Sequence, residues 1–154
     1  MGEVDQQGFS LLEMVCVIAI IALVAAVLLP MVPRQTSRPR LQAYAMQAAT
    51  LLKSDRSAAI RRGVDVATLV DPHAHAIRAG ASREILQLPD DVRFDAVLPQ
   101  SCRQRAALSV ISFFPDGMSC GGTIALSRLD TAYEIRVNWL TGRIEMNSRA
   151  PLAN

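Results

Sequence analysis

The stretch from Met14 to Leu29, apolar at every position, constrains this chain more than any other feature. Between Glu13 and Arg34 lie 20 residues without a charge. As a helix rising about 1.5 Å per residue, that run is about 30 Å long, the thickness of a bilayer's hydrocarbon core. A helix apolar on every side needs an apolar surrounding on every side. The run therefore predicts a membrane-spanning helix over 9–33, and about 120 residues remain for one modest core.

A cleaved secretory signal is the ordinary alternative for such a run. The leader "MGEVDQQ" carries Glu3 and Asp5 and no Lys or Arg. The apolar stretch is longer than a secretory signal needs, and the exit "LLPMVPRQTSRPR" offers no small-x-small cleavage site. Glu13 also needs a reason. A charge deep in a bilayer costs about 2.5–3.5 kcal/mol on insertion scales. At the headgroup level, in the first turn of a helix, the macrodipole favours a carboxylate instead.

The string G-F-S-L-L-E, residues 8–13, followed by the apolar run, resembles the class III signal of type IV pilins and type II secretion pseudopilins. The resemblance implies that a prepilin peptidase cuts between Gly8 and Phe9, making 1–8 a leader, and that Phe9 is then N-methylated. Glu13 becomes the fifth residue of the mature chain, with an implied role in assembly opposite the Phe9 ammonium of a neighbouring subunit. Pro30 fits a proline common near the end of the family's apolar stretch. The acidic leader departs from the family, whose leaders carry Lys or Arg. Arg34, Arg38 and Arg40 follow the run instead. A plain count of flanking positive charge would keep the C-terminal region in the cytoplasm. The family topology implies a single span in the bacterial inner membrane with the C-terminal head in the periplasm.

Beyond the run, Pro30, Pro33 and Pro39 interrupt helical hydrogen bonding. Ser37 with Pro39 reads as a restart, with a capping hydroxyl and a proline in the first turn. Residues 34–63 then continue as an amphipathic helix. Leu41, Ala45, Ala48, Leu52 and Ala59 share a core-facing side, and Gln47, Thr50, Ser54, Ser57 and Arg61 share another. Gly63 supplies the stop.

From residue 64 the period changes to that of strands. "VDVATLV" and "HAIRA" flank the turn "DPHA", and "REILQL" and "VRFDAV" flank "PDD". "LSVISFF" is apolar on both faces and predicts a central strand. "GTIALSR" follows a turn-rich segment. In "YEIRVNW", Tyr133, Ile135, Val137 and Trp139 share one face, and "LTG" turns the chain into "RIEM". One long helix followed by seven or eight short strands predicts an α+β protein. A long N-terminal helix, its first half spanning the membrane, packs on a β-rich head over 64–154, an antiparallel β-sandwich or pair of sheets.

The segments "ISFFPDGMSCGGTIALSR" and "IRVNWLTGRIEM" are similar to the closing strands of the pseudopilin H domain of type II secretion. Phe113, Pro115, Asp116, Gly117, Ser119, Gly121 and Gly122 fit its first turn pattern, and Thr141, Gly142 and Arg143 its second. Taken alone, Pro-Asp-Gly is a tight turn and the glycines supply backbone freedom. The resemblance implies a minor pseudopilin at or near the tip of the periplasmic pseudopilus, supporting export of folded proteins across the outer membrane. Its implied partners are other major and minor pseudopilins, the prepilin peptidase, the inner-membrane secretion platform and the lipid bilayer. A type IV pilus minor pilin of the FimT kind shares the domain and is the alternative, with DNA binding as its possible role. A membrane-anchored periplasmic binding module unrelated to pili is a further one.

Other chemistry finds little support. A net charge of +2, with arginines scattered among acids, argues against nucleic acid. His73 and His75, two apart, could share a strand face, but no cysteine or acidic cluster completes a metal site. There is no G-x-S-x-G elbow and no glycine-rich phosphate loop. Asp90, Asp91 and Asp95 lack calcium-loop spacing. The expectation is no catalysis, no metal and no cofactor. Cys16 lies inside the apolar run. In an oxidising compartment Cys102 and Cys120 can pair, closing a loop of about 19 residues. Two free thiols are the alternative, because spacing alone does not bring two Cα atoms within reach.

Overall fold

A computed structural model describes residues 11–28, 35–103, 105–107 and 109–149. The chain divides into two compact units, Met1–Gln35 and Thr36–Asn154.

In the first unit, helix α1 covers Leu11–Leu28, with Glu13 in its first turn. Its large apolar side chains are exposed on every side of the helix, Leu12, Val15, Ile18 and Leu23 among them. At 18 residues α1 is about 27 Å long. Among the described residues no helix is long and apolar enough to cross a membrane. Pro30 and Pro33 lie outside the described residues.

The second unit begins with helix α2, Arg38–Arg62. Its buried stripe contains Leu41, Ala45, Ala48, Leu52 and Ala59, as the spacing predicts, together with Ala49, Leu51, Asp55 and Ala58. Pro39 sits in the first turn and Gly63 ends the helix in the left-handed conformation, its N–H donating to the Ala59 carbonyl. Ser37 occupies the cap position, but its hydroxyl makes no capping bond. Its neighbour Thr36 makes the tethering bonds instead, to Asp91.

The strands that follow are β1 (Val66–Asp71), β2 (Ala76–Arg78), β3 (Ile85–Gln87), β4 (Arg93–Val97), β5 (Ser101–Cys102), β6 (Arg105–Ala106), β7 (Val110–Phe113), β8 (Gly122–Arg128), β9 (Thr131–Val137) and β10 (Ile144–Arg149). They form two four-stranded antiparallel sheets, ordered β3-β2-β1-β7 and β10-β9-β8-β4, and a small β5-β6 ribbon. The β1–β2 hairpin turns through "DPHA", where Asp71 accepts the His73 and Ala74 N–H groups. The β9–β10 hairpin pairs Val137 with Ile144 across the "TGR" turn. The core joins the α2 stripe to Val70, Ile77, Ile111 and Phe113 of one sheet and to Phe94, Ile124, Leu126 and Ile135 of the other.

Two strand expectations change, and one turn carries the chain between sheets. The segment "LSVISFF" forms β7, which ends its sheet rather than lying at the centre. The residues of its second face, Val110, Ser112 and Phe114, line a cavity together with Cys102, Arg103, Ala106 and Ala107. The strands on either side of "PDD" do not pair with each other. β3 edges the first sheet and β4 the second, so this turn carries the chain across between layers. Trp139 does not continue the inward face of β9. The strand ends at Val137, and Trp139 lies on the following turn, 62% exposed.

Candidate functional site

Gly8 and Phe9, the residues of the implied cleavage and methylation, lie outside the described residues. Glu13 stands in the first turn of α1, where the helix dipole favours a carboxylate. Cys16, also on α1, is exposed and unbonded to another cysteine.

In the head, the two turn motifs singled out in the sequence meet each other. The Pro115–Gly117 turn is closed by the Gly117 N–H donating to the Phe114 carbonyl at 2.9 Å. The Thr141–Arg143 turn is closed by the Gly142 N–H donating to the Asn138 carbonyl at 2.8 Å, while Asn138 Oδ1 accepts the Leu140 and Thr141 N–H groups. Arg56 of α2 reaches both turns: Nε donates to the Gly117 carbonyl at 3.2 Å and Nη2 to the Thr141 carbonyl at 3.0 Å. Gly142 has φ +62 and packs so closely that a Cβ there would collide with the Gly117 carbonyl and lie 2.8 Å from Arg56 Nε. Gly117 has φ +84. Both glycines are thus required by conformation, and Gly142 also by the close approach of the other turn. Ser119 strengthens the join, its N–H donating to the Trp139 carbonyl and its hydroxyl to the Asn138 carbonyl, each at 3.0 Å.

Cys102 and Cys120 are joined by a disulfide, with Cα atoms 5.6 Å apart. It links the β5–β6 ribbon to the loop before β8. Arg103 adds two contacts beside it, an ion pair to Asp116 at 2.9 Å and a guanidinium 3.6 Å above the Phe114 ring. The cavity under this ribbon has a volume of about 440 Å³.

Two carboxylates carry structural roles that sequence reasoning did not assign. Asp55 is fully buried on α2 and accepts the Thr68 hydroxyl at 2.6 Å and the Gly80 and Ala81 N–H groups at 2.8 and 3.0 Å. A buried carboxylate is tolerable when donors surround it in this way. The signal was present: Asp55 falls three residues after Leu52 and four before Ala59, on the core stripe. Asp91, set aside with Asp90 and Asp95 for want of calcium-loop spacing, accepts the Thr36 N–H and hydroxyl, both at 2.7 Å, and the Arg128 Nε–H at 2.8 Å. The backbone and side-chain bonds from Thr36 hold its pKa below the ordinary carboxylate value, Arg128 adding to the effect.

His73 is exposed at the β1–β2 turn and His75 packs edge-on to Phe94. Among the described residues no group of three or more His, Cys, Asp or Glu is placed to hold a metal ion. Asp90, Asp91 and Asp95 divide between a turn and β4, where Asp95 pairs with Arg93.

Comparison with known proteins bears on both ends of the chain. Residues 5–29 match the prokaryotic N-terminal methylation motif, and residues 44–142 match the family described as type II transport protein GspH. Type II secretion system protein H of Xanthomonas campestris pv. campestris is 33% identical over 139 residues, covering 90% of this chain and 81% of that protein. Among solved structures, the minor pseudopilin EpsH from the type 2 secretion system of Vibrio cholerae superposes with a TM-score of 0.52 at 13% identity, over 73% of this chain and 98% of that one. The type IV minor pilin FimU of Pseudomonas aeruginosa superposes with a TM-score of 0.55 at 18% identity, over 77% of this chain and 97% of that one. At such identities the two structures speak to the fold alone.

Proposed function

The chain belongs to the GspH family of type II transport proteins, and from that membership we infer that it is a minor pseudopilin of a type II secretion system. The observation that carries this reading is the match to a type II secretion protein H over nine-tenths of the chain, with the methylation motif over residues 5–29. As a pseudopilin it associates with other pseudopilins. The finer reading follows from the residues. The prepilin peptidase removes 1–8 and Phe9 is methylated. The apolar run through 9–33 holds the subunit in the inner membrane, with the head in the periplasm, until it is drawn into the filament near its tip. The apolar, outward-facing side chains of α1 suit both settings, lipid first and neighbouring helices afterwards. Glu13 accepts the Phe9 ammonium of a neighbouring subunit, a charge pair worth more where water is scarce, less the desolvation it costs. The subunit carries out no catalysis and works by packing.

The test uses the full-length chain with its partner pseudopilins. Gly8→Val is expected to block the size shift that the prepilin peptidase produces. Glu13→Gln is expected to be cleaved and membrane-inserted like the parent, yet to co-purify less with partner pseudopilins and to support less secretion. Processing of Gly8→Val would overturn the cleavage reading, and undiminished co-purification of Glu13→Gln would return Glu13 to a plain helix-dipole role. A pilus minor pilin shares the fold, as FimU shows. Restoration of secretion, rather than of pili, in a strain lacking the gene separates the two.

A further inference from the structure

Each four-stranded sheet has two outer strands, and the four edges are not alike. β3 is three residues long. β7 is partly covered, its Ser112 carbonyl accepting the Cys120 N–H and its Phe113 bridging to Ser119. β4 has five residues, and the two exposed charges on it, Arg93 and Asp95, bond to each other. β10 runs for six residues in unbroken register with β9, and it contains no proline, no lysine and no inward-pointing charge. Those are the usual devices that keep a sheet edge from pairing with another chain. Among the described residues no strand lies against the outer side of β10.

The Asn138 N–H donates to the Arg143 carbonyl, which sets the alternation of the β9–β10 ladder. Glu145, Asn147 and Arg149 therefore bond to β9, and the N–H and C=O groups of Ile144, Met146 and Ser148 point to the open edge. The side chains alternate too. Ile144 and Met146 face the core, while Glu145, Asn147 and Arg149 lie exposed on the outer face. We propose that β10 pairs antiparallel with β10 of a second copy of this chain, with Asn147 on the two-fold axis, so that two four-stranded sheets become one. In that register Met146 stands opposite the second copy's Ser148, and their open-edge groups exchange hydrogen bonds. Glu145 stands opposite the second copy's Arg149, and Arg149 opposite its Glu145, with the two Asn147 amides between them. Opposite charges facing across a strand pair stabilise it. Glu134 already takes both Arg136 and Arg149, one acid to two cations. Glu145 of the second copy supplies a further acid, its own contact with Arg143 being a looser 3.5 Å. Sliding the strands toward the turn sets Arg149 opposite the second copy's Arg143, or Glu145 opposite its Glu145, so charge selects the register. A two-fold contact is closed: both copies use the same edge, and it cannot extend into a filament, which needs head-to-tail contacts. The pair is thus a resting form distinct from the assembled one. That consequence rests on the pseudopilin reading, whereas the pairing does not.

The experiment uses the full-length chain in detergent, carrying Cys16→Ser so that an introduced thiol stands alone beside the Cys102–Cys120 disulfide. Asn147→Cys is oxidised with copper phenanthroline, and the linked fraction is read on a non-reducing gel. Opposed residues of a non-bonded strand pair have Cα atoms about 4.5 Å apart, within disulfide reach, so most of this variant is expected to link as a dimer. Glu145→Cys alone is expected to link little, its counterpart lying about 13 Å along the strand, and an equal mixture with Arg149→Cys to link. Ser148→Pro added to Asn147→Cys removes an edge N–H without touching the β9 ladder, and is expected to lower the linked fraction roughly tenfold or more. Glu145→Arg, which sets like charges opposite each other, is expected to lower it as well, and an unchanged urea midpoint identifies the variant that remains folded. Absence of a dimer for Asn147→Cys, undiminished linking in a folded edge variant, or Glu145→Cys linking as readily as Asn147→Cys would overturn the proposal. A link formed to another pseudopilin in preference to a second copy, when the two are co-expressed, would also overturn it by assigning the edge to that partner. Each outcome reads the pairing alone and leaves the secretion assay to judge the pseudopilin reading.

Discussion

At the start of the head, Thr36 gives two hydrogen bonds to a carboxylate that Arg128 also contacts, and both charged partners still touch solvent. Five turns along α2, Arg56 gives its two hydrogen bonds to backbone carbonyls of two turns that touch each other through glycine. The first attachment is electrostatic and open to water, so its strength can vary with pH and salt. The second depends on shape, and shape is intolerant: one added carbon at Gly142 collides with the backbone carbonyl of Gly117. A single helix is therefore moored adjustably where the chain comes in and rigidly beyond.

The contrast can be broken most decisively at Gly142. Gly142→Val combines a left-handed conformation with a collision on the Gly117 carbonyl. It is expected to cost about 3–4 kcal/mol, a sum of the left-handed penalty and overpacking, read as a lowered urea midpoint. A loss below about 1 kcal/mol would mean that the two turns part readily and that this end is no more rigid than the other. Arg56→Ala should have a smaller effect, about 1–2 kcal/mol, because it strips two carbonyls of their donor while leaving the turns in contact. Pairing it with Gly142→Ala should give a clearly non-additive result, since both changes act on one contact.

Asp91→Asn should have the smallest effect at neutral pH, about 1 kcal/mol or less, as befits a partly exposed cluster. Its signature is the pH dependence. Asp91 has a lower pKa folded than unfolded, so its contribution is fully present above the unfolded value of about 4 and is lost as pH falls through the folded value. The parent should therefore lose stability relative to Asp91→Asn as the solution is acidified below about pH 4, and parallel stability curves would show that the mooring at Thr36 is not electrostatic.

The same two ends divide what could be read from sequence. The helix, its stripe, its glycine stop and eight of the strands follow from periodicity, because burial of one face imposes a repeat on the residues themselves. The motif turns were visible as turns, but nothing in "PDG" or "TGR" says that they touch. That fact lies in Arg56, an ordinary polar residue of an amphipathic helix whose partners are 61 and 85 positions away. Asp91 was visible as an acid but not as an anchor, for the same reason. β7 reads as central because an apolar second face implies a second layer. What faces it instead is a cavity shared with Cys102, Arg103, Ala106 and Ala107, with Cys102 held by its disulfide, and no local pattern marks so short a strand as its neighbour. Ser37 illustrates the converse. The capping pattern was legible, yet its neighbour Thr36 found the stronger acceptor in Asp91. The N-terminal methylation motif, by contrast, is itself a linear string, so the string suffices to recognise it.

The contact between Gly117 and Gly142 also constrains how genes for such proteins can recombine. A crossover falling between residues 122 and 138 would draw the two turns from different parents, joining surfaces that were never selected against one another. A crossover between Arg56 and Ser112 would pass them on together, along with Cys120 and the whole of β8 to β10, but would divide them from Arg56. Viable hybrids between relatives should therefore cluster their junctions ahead of α2, where the mooring is forgiving, and leave the segment from Arg56 to Arg143 to be inherited as a block.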